Sequence, residues 1–224
     1  MKVVVFGAGG MVGTGVLRAC LLDDEVESVV AVVRRPLRTR HPKLREVMPA
    51  DFADLTDVAD ELAGAGACFF CLGVPSAGRT EADYTRVTRD YALAAARVLL
   101  PRTEDLTFVY VSGASADSAS RTMWARVKGR AEDELLALPL RTYVFRPGYI
   151  RPRDGARPRS RTSRLLYGAT SWTYPVLRRL FPRHTTTTAA IGRAALAVTR
   201  RGGDGPRVLT SADINTAAAE GEKA

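Results

Sequence analysis

The chain has 224 residues, 46% of them hydrophobic, enough for one α/β domain with a full core and too apolar for a disordered chain. The formal charge of +9 is unevenly spread: residues 1–150 balance 19 basic against 19 acidic side chains, whereas residues 151–201 hold 12 arginines against Asp154 alone. No apolar run approaches the ~20 residues that span a bilayer, and Met1-Lys2 leads into only four apolar residues before a glycine turn. The expectation is therefore a cytoplasmic protein without a signal peptide.

Residues 3–6 read as a first strand. It runs into the turn Gly7-Ala-Gly-Gly10-Met-Val-Gly13 and then into an apolar helix over 12–22. A strand–turn–helix passage of this kind lets the backbone approach a diphosphate and presents it with free N–H groups and the positive end of the helix dipole. Val12 stands where G-x-G-x-x-G would need glycine, so the spacing is G-x-x-G-x-x-G. Gly7, Gly9, Gly10, Met11, Val12 and Gly13 are the candidate diphosphate contacts.

The apolar run 28–33 reads as a parallel strand buried on both faces. It ends at Arg34-Arg35, with Arg38 and Arg40 close behind. An arginine at that place accommodates the 2′-phosphate of NADP, whereas an acid would accept the ribose hydroxyl of NAD. The expected cofactor is NADP, with NAD second. A third strand over 46–48 leads to Asp51 and Phe52, with Asp51 placed to meet an adenine edge. A helix follows over 55–62, then a fourth strand over 67–72. This strand ends in Cys71-Leu72-Gly73, at the sheet terminus that faces the cofactor in such folds. Cys68 and Cys71 form a C-x-x-C, but in a strand residues three apart point to opposite faces, which opposes redox pairing. Cys20 completes a set too small for a disulfide framework, and His41 and His184 lack metal-ligand spacing. No metal is expected.

A long helix over 81–100, a strand over 106–112, a helix over 123–138 ended by Pro139, and a strand over 141–146 complete the alternation. It predicts an α/β fold, a doubly wound parallel sheet with right-handed crossovers. After Gly148 the pattern loosens. Residues 151–164 read as a loop, 165–181 as an interrupted apolar and aromatic stretch, 188–199 as a helix, and 207–209 as a last strand. From Ala212 the tail looks frayed. The division is a nucleotide-binding core over 1–150, a short substrate-side extension or lid over 151–211, and a tail over 212–224.

Six pieces occur in order: Phe6-Gly-Ala-Gly-Gly-Met-Val-Gly13, Cys71-Leu-Gly73, Val87-Thr-Arg-Asp-Tyr91, Val111-Ser-Gly113, Val127-Lys-Gly129 and Phe145-Arg-Pro-Gly148. In this order they resemble the atypical short-chain dehydrogenase/reductases of the NAD-dependent epimerase/dehydratase type, in the Tat-interacting-protein-like oxidoreductase branch. The resemblance covers residues 6–148. It implies a Rossmann fold binding NADP, with Pro147 and Gly148 among the cofactor contacts, and it names no substrate.

In active members of that family a serine follows the fifth strand and a Tyr-x-x-x-Lys lies on the next helix. The resemblance assigns Ser112 to polarise a carbonyl and Lys128 to hold the nicotinamide ribose. Four residues before Lys128 stands Trp124, not tyrosine. An indole donates a hydrogen bond but does not titrate in a range useful for acid–base work. Tyr149 is the leading substitute, ahead of Tyr84 and Tyr110. Lys128 is itself a candidate acid or base if desolvation lowers its pKa.

Two function classes follow. One is an NADP-dependent oxidoreductase or epimerase acting on a small carbonyl or hydroxyl compound. The other is a non-catalytic NADP-binding sensor or interaction protein. The arginine-rich segment raises nucleic-acid binding as a third idea, but no DNA- or RNA-binding signature accompanies it. Over 161–183, Leu165, Tyr167, Trp172 and Phe181 are flanked by Arg161, Arg164, Arg178, Arg179 and Arg183. That pattern suits an anionic or amphipathic substrate or a peripheral membrane contact, and equally an ordinary core helix with a solvated face.

Overall fold

The computed structural model describes residues 1–103, 105–153 and 184–221. The basic and aromatic stretch over 161–183, expected as a lid or membrane contact, lies outside the described residues.

Nine strands are described: β1 (Lys2–Phe6), β2 (Ser28–Val32), β3 (Leu44–Val47), β4 (Ala67–Phe70), β5 (Thr107–Val111), β6 (Arg141–Arg146), β7 (Tyr149–Arg151), β8 (Thr185–Thr187) and β9 (Val208–Thr210). Seven form one parallel sheet in the order β3-β2-β1-β4-β5-β6-β9, and β7 pairs with β8 beside it. β1 is an interior strand, with Val5 opposite Ala31 of β2 on one side and Phe69 of β4 on the other.

The pleat explains the composition of these strands. Val3 and Val5 project into a core shared with α1 (Met11–Leu22) and two C-terminal helices. Val4 and Phe6 project into the opposite core, against α2 (Ala59–Leu62), α4 (Tyr91–Leu99) and α5 (Met123–Leu136). A strand covered on both faces has no solvent side, so its alternation is lost and it reads as continuous valine. Cys68 belongs to one core and Cys71 borders the other, the opposed placement that strand geometry requires.

The structure differs from the sequence expectation at four places. The helix expected over 81–100 is broken: α3 (Glu81–Thr85) passes through a π-helical turn, Arg86–Asp90, before α4 begins. The helix expected over 55–62 is a 3₁₀ turn, Thr56–Val58, followed by the single turn of α2. Residues 188–200 do not belong to a lid. Thr188–Arg200 forms α6, which packs on α1 and buries Ile191, Ala194, Ala195 and Val198 in the core. The frayed tail is also corrected. Ser211–Glu220 forms α7, begun by a capping box between Thr210 and Asp213 and anchored by buried Ile214, Ala217 and Ala218.

Candidate functional site

In a doubly wound sheet the crevice for a ligand opens beyond the carboxyl ends of the strands, where the strand order reverses. Here that point is β1, from which the chain winds outward through β2 to one side and β4 to the other. A cleft of about 220 Å³ lies there. It is lined by Gly7, Gly9 and Gly10 after β1, by Val32 to Arg35 at the end of β2, and by Phe52. Cys71 to Val74 after β4, then Arg79, Val87 and Tyr91, complete it. Nine of the residues expected at a cofactor converge: Gly7, Gly9, Gly10, Arg34, Arg35, Phe52, Cys71, Leu72 and Gly73. A wider hollow of about 650 Å³ beside Pro36 and Met48 is shallow, and its charged groups Arg40 and Glu46 pair with each other.

The glycine turn separates packing from ligand space. A Cβ on Gly13 would lie 2.1 Å from the Gly7 carbonyl oxygen, so the fold itself demands that glycine. A Cβ on Gly10 would meet only the same oxygen, at 3.2 Å, and one on Gly73 would meet nothing within 4 Å. The space over Gly73 is open, and Gly10 has a single close neighbour. Gly10 caps α1 without a side chain, no side-chain hydrogen bond closes the helix start, and the first turn carries no acid. Its N–H groups and dipole are thus open to an anion. Met11, Val12 and Gly13 form that first turn but do not line the cleft.

Arg34, Arg35 and Arg79 are exposed at the cleft and have no ion-pair partner among the described residues, and no described lining residue is an acid. Arg40, by contrast, is occupied by Glu46 at 3.1 Å. A glycine cradle, an open helix start and three free guanidiniums fit a phosphorylated dinucleotide. Asp51 falls beside the cleft but not in its lining, and its carboxylate accepts from Arg86 at 3.3 Å and from the Ala53 N–H at 3.0 Å. The apolar wall is Phe52 against Tyr91, ring centres 5.7 Å apart. Burial pushes the Cys71 thiol up to about 12, so it is no nucleophile at neutral pH.

Arg79, Val87 and Tyr91 were missed by sequence reasoning. Arg79 comes from the loop after β4, which no periodicity marks. Val87 and Tyr91, four apart, share a helix face on either side of the π-turn boundary, and that spacing was a usable signal.

The second group lies at the end of β5. Trp124 and Lys128, one turn apart on α5, both reach Gly113: a Cβ there would lie 3.9 Å from the indole and 3.8 Å from the Lys128 chain. The Lys128 amine stands 5.7 Å from the centre of the Tyr110 ring. Burial lowers its pKa to about 8, and the Glu132 carboxylate opposes part of that fall. Ser112 is buried, and its hydroxyl donates to Glu132, a carboxylate 1% exposed that also accepts from Arg146, whose Nε is at 2.9 Å. Sequence reasoning missed Glu132 and Arg146. An acid between the buried positions Ala131 and Leu135 was the available signal.

The remaining candidates are occupied. Tyr110 donates to the Thr88 carbonyl at 2.9 Å and Tyr84 is buried, so neither is a mobile proton donor. Burial raises the pKa of both phenols. Tyr149 sits in β7 opposite Thr185. Pro147 accepts from the Ala114 N–H, and Gly148 donates to Ser211 and allows the His184 backbone a close approach, a Cβ there lying 2.5 Å from its carbonyl oxygen. Lys128, Pro147 and Gly148 do not line the cleft.

No family model matches the chain. It is 29% identical over 156 residues to Protein FMP52, mitochondrial, of Debaryomyces hansenii, a match spanning about two thirds (67%) of each chain. It is 26% identical over 204 residues to Protein fmp52, mitochondrial, of Emericella nidulans, covering 87% of this chain and 85% of that one. Both names place the relatives in the mitochondrion, which overturns the expectation of a cytoplasmic protein; the way the chain begins was no sufficient ground for it. Among solved structures, a short-chain dehydrogenase/reductase-family oxidoreductase from Burkholderia thailandensis superposes with a TM-score of 0.70 at 15% identity, covering 94% of this chain and 90% of that one. MoeE5 in complex with UDP-glucose and NAD gives 0.67 at 18% identity, covering 98% and 81%. At such identities the likeness establishes architecture alone, and the architecture of this chain is an α/β Rossmann-like fold.

Proposed function

We propose that the chain is an NADP-dependent oxidoreductase or epimerase acting on a small carbonyl or hydroxyl compound, with Lys128 as the acid–base group and Trp124 in the usual place of tyrosine. The observation that carries this reading is the cleft at the ends of β1, β2 and β4, with open space over Gly73 and a rim of three arginines that have no ion-pair partner among the described residues. Gly7, Gly9, Gly10 and the start of α1 hold the diphosphate. Arg34 and Arg35 take the 2′-phosphate, which favours NADP over NAD. Phe52 and Tyr91 flank the adenine. When bound, the dinucleotide supplies or accepts a hydride.

The chain's own part in the chemistry is proton transfer. A lysine near pKa 8 is mostly protonated at pH 7 yet deprotonates without a large penalty, which is the balance an acid–base group needs. Trp124, beside Lys128 over Gly113, can offer one hydrogen bond through its indole N–H but no titrating proton. The narrower kinship with the Tat-interacting-protein-like branch rests on the ordered motifs alone, and the FMP52 relatives supply no reaction.

The second reading is an NADP-binding sensor without turnover. It is favoured by one feature, the engagement of the Ser112 hydroxyl by Glu132. Purified protein with NADPH and a panel of aldehydes, ketones and quinones separates the two. The enzyme reading expects NADPH oxidation that Lys128→Ala reduces by about 10²–10⁴-fold, that Trp124→Phe retains, and that Trp124→Tyr retains or raises. Tight NADPH binding with no turnover across the panel would establish the sensor instead.

A further inference from the structure

Lys128, Glu132, Ser112 and Arg146 make one polar cluster where α5 packs on β5 and β6, with Ser112 and Glu132 buried and Lys128 and Arg146 half-buried. Lys128 and Glu132 are four residues apart on α5, hence on one face. The carboxylate oxygens of Glu132 are divided: one accepts from Ser112, the other from Arg146. A carboxylate held by a guanidinium is an acceptor only, so the proton between Ser112 and Glu132 comes from serine. Ser112 has a single proton and has placed it there. Toward any third group it offers lone pairs alone, and it cannot polarise a carbonyl.

Lys128 is differently placed. No hydrogen bond or ion pair holds its amine among the described residues. It faces the Tyr110 ring of β5 and passes over Gly113, just beyond the strand's end. On its own helix it faces Glu132, behind which stands Arg146 of β6, and Tyr84 of α3 lies near Tyr110. Of the other acids on or beside α5, Glu134 and Asp90 pair with Arg89, Glu81 pairs with Arg126, and Asp133 is exposed to solvent. Glu132 is the carboxylate that can compensate the Lys128 charge.

We propose that Glu132 is a positioning residue that fixes Ser112 as an acceptor and stabilises the charge on Lys128, leaving Lys128 as the donor that meets a substrate oxygen. The proposal rests on the reading of Lys128 as the acid–base group, and its test separates the two. The chain has four lysines, Lys2, Lys43, Lys128 and Lys223. Reductive methylation with ¹³C-formaldehyde therefore gives few dimethylamine resonances, and Lys128→Arg assigns that of Lys128. Its chemical shift is followed against pH in the wild type, in Glu132→Gln and in Glu132→Asp, with near-ultraviolet circular dichroism checking the fold of each. The titration midpoint of Lys128 is expected to drop by about 1 in Glu132→Gln, since an opposite charge has been removed. In Glu132→Asp, which keeps a charge for Arg146 but withdraws it, the drop is smaller and of the same sign. An unchanged midpoint in the folded variants would overturn the role of Glu132 whatever the wild-type value. A wild-type midpoint at the ordinary lysine value of 10.5 would instead count against Lys128 as the acid–base group.

Discussion

Lys128 places a charge where the fold does not favour one. Its amine is buried over an aromatic ring, and its pKa falls from 10.5 to about 8. The unfolded chain binds this proton below pH 10.5, the folded chain only below about 8. Between the two values the unfolded state holds more protons, so stability rises with pH across that window and is lowest below it. Lys128→Met is therefore expected to stabilise the protein at pH 7, by up to about 3 kcal/mol, and to lose that advantage above pH 10.5. Urea melts of both proteins at pH 7 and pH 10.5 measure it; a methionine variant less stable at pH 7 would contradict the assignment. The family resemblance made Lys128 a candidate, at the lysine of the Tyr-x-x-x-Lys pattern in which Trp124 replaces the tyrosine. It did not disclose that Ser112 is already engaged, because Glu132 and Arg146 meet it only after α5 docks on β6.

At the scale of elements, the turn between β1 and α1 carries two different demands for glycine. Gly13 is required by the close approach of the helix to its own turn, whereas a Cβ on Gly10 would meet only the Gly7 carbonyl oxygen, and the proposed diphosphate supplies the stronger demand there. Gly13→Ala should lower the melting temperature markedly, as overpacking against backbone costs about 1–3 kcal/mol. Gly10→Ala should melt near the wild type and bind NADPH at least about tenfold more weakly. Differential scanning calorimetry and titration calorimetry on both variants check the contrast, and a Gly10→Ala protein with full affinity would make the turn purely structural. The elements built from long apolar runs, β1, β2 and β4, were legible in the chain. The π turn at Arg86–Asp90 was not, since one extra residue per turn leaves the apolar pattern almost unchanged. The last helix was legible and went unread: Thr210-Ser-Ala-Asp213 is a capping sequence, and Ile214, Ala217 and Ala218 keep helical spacing. Thr210→Ala should cost about 1 kcal/mol in a urea melt; no loss would mean that α7 contributes little to the folded state.

Across the whole molecule, the placement of β1 between β2 and β4 brings residues distant in sequence, from Gly7 to Tyr91, to one cleft. The order of strands and the glycine turn made much of that cleft readable in advance, down to Arg34 and Arg35. Arg79 was hidden because a loop has no period, and the sequence did not show that the Asp51 carboxylate, beside the cleft, pairs with Arg86. The central claim is that this cleft selects a phosphorylated dinucleotide. Isothermal titration of the wild type and of the Arg34→Ala, Arg35→Ala double variant with NADPH and NADH tests it most directly. One charge-assisted phosphate contact contributes about 1.5–3 kcal/mol. The wild type is therefore predicted to bind NADPH at least about tenfold more tightly than NADH, and the double variant to lose that preference while keeping its NADH affinity. Equal affinities in the wild type, or equal weakening of both cofactors in the variant, would contradict the account.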